Sequence, residues 1–115
     1  MADNFSTQKA TATSWFHELR VKIMHEFEVL ENCHASDVPE GLFEITETTR
    51  TAEDGADAGG GLMSVMRGGR VFEKVGINVS TVFGTLGKSA QETMAARKEL
   101  PGMLEDPRFW ATGIS

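Results

Sequence analysis

The stretch that most constrains this chain is "GGGLMSVMRGGRVFEKVGINVSTVFG", residues 59–84. It is rich in glycine, and between the glycines apolar and polar residues alternate. A loop that cradles phosphate needs a helix directly after it, with the first amides of that helix turned to the anion. Here the full GxxxxGK[ST] pattern is absent. After Gly61 the chain is rich in β-branched residues, Val65, Val71, Val75, Ile77, Val79, Thr81 and Val82, which suit a pleated surface. The stretch therefore reads as sheet. Gly68-Gly69 between two such runs predicts a two-residue hairpin turn, because glycine adopts positive φ at little steric cost. That turn would pair Arg67 with Arg70, Met66 with Val71, Val65 with Phe72 and Ser64 with Glu73. Met63, Val65 and Phe72 would share one face, and Leu62, Met66, Val71 and Val75 the other. Neither face is purely polar, which predicts a sheet covered by helices on both sides.

Around this stretch the chain divides into short elements. Trp15, Leu19, Ile23, Phe27 and Leu30 recur with helical period, with Phe16 and Met24 beside them. They predict an amphipathic helix over about 14–30, capped by Thr13 or Ser14, with Glu18, Arg20, Lys22 and Glu26 on its outer side. Pro39 and Gly41 break it. Residues 42–50, "LFEITETTR", read as a first strand, and 51–61, "TAEDGADAGGG", as a polar loop. Gly76 and Gly84 bound another strand. Residues 87–100 favour a short helix ended by Pro101-Gly102, and Phe109–Ile114 begins a last strand. The fold class expected is α+β, an antiparallel sheet flanked by helices on both faces.

The 115 residues suffice for one small domain, which buries roughly two-thirds of its unfolded surface. No apolar run approaches the ~20 residues of a membrane helix. The first residues lack the apolar core of a secretory signal. Cys33 is the single cysteine, so no internal disulfide forms, which fits a reducing cytoplasm. The net charge of −6 argues against a nucleic-acid partner. It is unevenly spread: residues 26–57 hold ten acids against Arg50 alone, whereas 59–88 hold Arg67, Arg70, Lys74 and Lys88 against Glu73. That local excess of base would suit an anionic ligand. His17, His25 and His34 stand at no recognised metal spacing and read as surface residues.

With its neighbours, the opening stretch resembles the oxygen-dependent coproporphyrinogen III oxidase family. In that family a glycine triplet precedes a hairpin and then a strand pair of the form "vFEKaGvN-S-v-G", which "VFEKVGINVSTVFG" resembles here. The segment "WFHELRVKIMHEFEVLE" is similar to the family's first helix, and "DPRFWATGIS" to the segment that runs into its active site. The resemblance spans about residues 14–115. It implies an enzyme that uses O2 to convert two propionates of coproporphyrinogen III to vinyl groups, giving protoporphyrinogen IX in haem synthesis. It implies no organic cofactor, a divalent metal in some members, and a cytoplasmic homodimer. Carried over residue by residue, it makes Ser115 a substrate-binding residue. It places the dimer contact on Ile77, Asn78, Val79, Ser80, Thr81, Val82, Phe83, Gly84, Thr85 and Leu86. Arg67, Arg70 and Lys74 invite comparison with propionate partners, but the resemblance assigns them nothing. Phe83 stands where many members have histidine, and Thr48 where many have tryptophan. The family's catalytic residues come after "GIS". Residues 1–115 are thus expected to be the N-terminal part of one oxidase domain, truncated after Ser115 and inactive alone. The alternative is a short non-enzymatic paralogue that binds porphyrinogen or pairs with a complete subunit.

Overall fold

A computed structural model describes residues 5–96 and 105–115. The order is α1 (Ser6–Asn32), β1 (Phe43–Thr51), β2 (Asp57–Arg67), β3 (Lys74–Thr85), α2 (Lys88–Ala95) and β4 (Arg108–Ile114). The four strands form one antiparallel sheet in the order β1-β2-β3-β4. The class is the expected one, α+β on an antiparallel sheet, and α1 is the helix that packs across a face of it.

Directly opposed residues of paired strands share a face, so the register sorts the side chains. Phe43, Ile45, Leu62, Ser64, Met66, Val75, Ile77, Val79, Thr81, Phe83, Trp110, Thr112 and Ile114 lie on the α1 side. Thr46, Thr48, Arg50, Met63, Val65, Arg67, Lys74, Asn78, Ser80, Val82, Phe109 and Ala111 lie on the other. The apolar core is small: Ala58, Met66, Ile77 and Val79 are its buried members. The helix crosses the sheet on a diagonal. Lys9 sits 5.4 Å from the Trp110 ring centre on β4. Arg20 reaches Ser64 on β2. Phe27 packs edge-on against Phe43 of β1, with ring centres 6.5 Å apart, and against Phe72, at 4.8 Å.

Three sequence expectations need correction. The helix starts two turns early, at Ser6, and its packed face is rotated. Trp15 and Leu30 are 46% and 48% exposed, whereas Arg20 and Glu31 are buried. The true inward stripe is Phe16, Arg20, Ile23, Phe27 and Glu31, at spacings that suit a helix equally well. Second, 51–61 is not one loop. β1 runs to Thr51, a turn closes through hydrogen bonds from Ala52 N to Ala56 O and from Gly55 N to Ala52 O (both 2.9 Å), and β2 starts at Asp57. Gly59, Gly60 and Gly61 are strand residues, and a Cβ on any of them would meet a carbonyl oxygen of a neighbouring strand, from Thr81, Thr48 and Val79 respectively.

Third, the hairpin turn is longer than two residues. Arg67 pairs with Lys74 and Met66 with Val75. Gly68 to Glu73 form the connection, closed by Gly68 N to Glu73 O at 2.8 Å and Gly69 N to Phe72 O at 3.0 Å. The pairing moves by four residues, an even number, so Leu62, Met66 and Val75 still share a face; Val71 and Phe72 fall in the turn instead, and Phe72 packs on Phe27 of α1 rather than with Met63 and Val65. The second helix and last strand fall where expected. Residues 97–100 of that helix, and Pro101-Gly102 after it, lie outside the described residues.

Candidate functional site

Two polar centres stand out. The first explains the long hairpin turn. Glu31 is fully buried at the last turn of α1. Its Oε1 accepts from Gly41 N at 2.7 Å and Arg70 N at 2.6 Å, and its Oε2 from Val71 N at 2.6 Å and Phe72 N at 3.0 Å. Burial alone would raise this carboxyl. The amides of Gly41, Val71, Phe72 and Arg70 outweigh it and hold the pKa at about 2, below the ordinary 4.5. Three successive amides turned to one anion form a backbone nest. The glycine-rich turn thus does cradle an anion, and that anion is the chain's own carboxylate. Gly69 is required there because a Cβ would come within 2.5 Å of Glu31 Oε1. Arg70 secures the same corner: its Nε donates to Val38 O at 2.6 Å and its Nη1 to His34 O at 3.2 Å. Its guanidinium is therefore committed to backbone carbonyls.

The second centre lies on the sheet face away from α1. Ser115 follows β4 and is exposed. It exchanges both backbone hydrogen bonds with Asn78: Asn78 N donates to Ser115 O at 2.8 Å, and Ser115 N to Asn78 O at 2.9 Å. The two residues are therefore direct neighbours on one face. Asn78 Oδ1 is buried with no hydrogen-bond partner. Ser80 and Gly113 oppose each other one step along, and Arg67 and Lys74, both exposed, oppose each other farther down the same face.

The strand expected at a dimer contact, Ile77 to Leu86, forms β3 up to Thr85. Its backbone is paired with β2 on one side and β4 on the other. Ile77 and Val79 are buried on the α1 side. Asn78, Ser80, Val82 and Gly84 face the other way, and Leu86 N donates to Pro107 O at 2.9 Å. His17, His25, His34 and Cys33 are exposed. Among the described residues no three of His, Cys, Asp and Glu gather as metal ligands. Sequence reasoning missed the buried roles of Glu31 and Arg20, and it placed Asn78 only at the dimer contact, not beside Ser115. Arg20 is buried, with Nη1 donating to Ser64 Oγ at 3.0 Å and to Met24 Sδ at 3.1 Å while Nε has no partner. A helical stripe whose fifth member is glutamate, facing a glycine turn, was the available signal for Glu31.

Fold and polar face together define a sheet-built domain with a glycine-rich hairpin and a serine-bearing strand beside it. A family model described as coproporphyrinogen III oxidase matches residues 11–115. An oxygen-dependent coproporphyrinogen-III oxidase of Rickettsia bellii (strain RML369-C) is 43% identical over 107 residues, which cover 93% of this chain and 35% of that protein. Proteins of the same name from Rickettsia felis and Rickettsia peacockii are 42% and 41% identical over the same shares. No solved structure matches. The chain belongs to the coproporphyrinogen III oxidase family. It spans about a third of the length of the curated relatives it matches.

Proposed function

We propose that residues 1–115 are the N-terminal part of a single oxygen-dependent coproporphyrinogen III oxidase domain, which acts in haem synthesis. The observation that carries this reading is the match along nearly the whole chain to oxidases of that name, at 43% identity. The reaction turns two propionate side chains of coproporphyrinogen III into vinyl groups. Each conversion releases CO2, two electrons and two protons, and O2 takes up the electrons and protons to become H2O2. In this reading the Ser115 hydroxyl bonds a polar group of the substrate. The base that takes the pyrrole proton lies outside this chain. No organic cofactor enters. A divalent metal serves some members of the family, but the described residues do not fit a metal site, so no step here is assigned to one. The enzyme works as a cytoplasmic homodimer. Within β3, residues 78–82 are flanked by both β2 and β4, whereas Phe83 to Thr85 pair with β4 alone; in this reading the partner meets the strand toward that end, where Gly84 and Thr85 are exposed.

An aerobic assay of the full gene product tests the reading. Protoporphyrinogen IX and CO2 should form from coproporphyrinogen III, and none should form with residues 1–115 alone. Turnover by the 115-residue chain equal to that of a longer one would overturn the assignment of the base. A full product that dimerises but does not turn over would favour the non-enzymatic alternative.

A further inference from the structure

We infer that Asn78 is a second substrate-contacting residue, which works beside Ser115 by accepting a hydrogen bond from a pyrrole N–H. The inference rests on the proposed function. Its own support is geometric. Asn78 and Ser115 are a directly hydrogen-bonded cross-strand pair, with backbone bonds of 2.8 and 2.9 Å. Their side chains therefore leave the same face at neighbouring points. Asn78 makes no side-chain hydrogen bond, and its Oδ1 is buried without a partner. Polar groups withdrawn from water are nearly always bonded, so one left open points to a missing donor. No hydrogen bond opposes rotation of the carboxamide, so its oxygen can turn to the accessible position.

The surroundings suit a broad, flat, polyanionic ring system. Gly76 and Gly113 lie on the same face around Asn78 and Ser115, and the space beside their Cα atoms is open, so the backbone can be approached closely there. Of the three cations of this face, Arg67 and Lys74 stand opposite each other, and Arg50 lies toward its other end, on β1 opposite Gly59, while Glu44 adds one carboxylate. Lys74 is four residues from Asn78 along β3, about 13 Å at 3.3 Å per residue. A porphyrinogen carries its N–H donors at the centre of the macrocycle and its carboxylates at the rim. An acceptor at Asn78 with cations toward both ends of the face matches that layout. An N–H donor is something that neither Arg nor Lys can receive, since both are donors only.

The test uses the full gene product, with Kd for coproporphyrinogen III measured without O2 and kcat/KM measured with it. Asn78→Leu keeps the shape and removes both polar atoms, and Asn78→Ala serves if the leucine variant does not fold. Each should weaken binding about five- to tenfold, as expected for one lost hydrogen bond, with an unchanged thermal midpoint. The side-chain NH2 resonances of Asn78 should shift when substrate is added to the wild type, which a merely structural role would not cause. Binding within twofold of wild type in both Asn78 variants, together with a loss in Ser115→Ala, overturns the role of Asn78 and leaves the functional reading standing. A wild type that neither binds nor converts coproporphyrinogen III removes both.

Discussion

The helix α1 buries two charges, and the fold treats them differently. At its C-terminal end Glu31 receives four backbone N–H groups from two separate segments. Eleven residues earlier Arg20 donates to a serine hydroxyl and a thioether, and its Nε finds no acceptor. A buried charge is tolerated when its hydrogen-bonding capacity is met. The backbone of 69–72 bends to meet the carboxylate. Nothing bends to meet the guanidinium, which gains instead from packing its long stem under the helix. One site organises its surroundings and the other only occupies them.

Removing the better-served charge should do most damage. Glu31→Ala leaves four N–H groups, one buried and three part-buried, without their acceptor, and the folded fraction at room temperature should drop to a minority by circular dichroism. Added formate should restore part of it, because a small anion can re-enter the nest; wild-type stability should not respond to formate in this way. Second, Gly69→Ala pushes a methyl group against the Glu31 carboxylate and should cost about 1–3 kcal/mol in urea denaturation. A neutral result would mean that the turn has room that the structure does not show.

Acid should produce the next effect. The folded pKa of Glu31 lies below its unfolded value, so its stabilisation is complete above about pH 4.5 and is lost as pH falls through about 2. Asp106, held near 2 chiefly by the hydrogen bond from the Arg108 side chain, titrates in the same window. Urea midpoints measured across that range should flatten markedly in Glu31→Gln and only slightly in Asp106→Asn. The smallest effect is expected at the poorly served charge. Arg20→Met keeps the stem and removes the guanidinium, and its stability should stay within about 1 kcal/mol of wild type or rise. A loss of more than about 2 kcal/mol would show that Arg20 has a partner and would dissolve the contrast.

How much of this could be read in the sequence depends on which partners are local. The helix, the last strand and the sheet were legible because each has its own periodicity. The faces of β2 and β3 were legible too, since an even register shift leaves them unchanged. Glu31 was hidden because its partners are main-chain amides, which every sequence contains. Its capture of residues 70–72 lies 39–41 positions away, so no local rule could replace the two-residue turn with the longer one. Gly59–Gly61 read as a loop from composition, yet close approach to flanking carbonyls places them inside a strand. Ser115 was marked by resemblance alone, and the position of Asn78 beside it emerged only from the observed register.

The diagonal of α1 also has a consequence for the order of folding. The hairpins β1–β2 and β2–β3 join neighbours in sequence and close short loops. By contrast, the contacts of Lys9 with Trp110 and of Glu31 with Arg70 close loops of about a hundred and about forty residues. Loop closure costs more entropy as loops lengthen, and long-range contacts slow folding. Closure entropy thus favours the strand meander ahead of the docking of the helix, and residues 69–72 take their bent course only when Glu31 arrives.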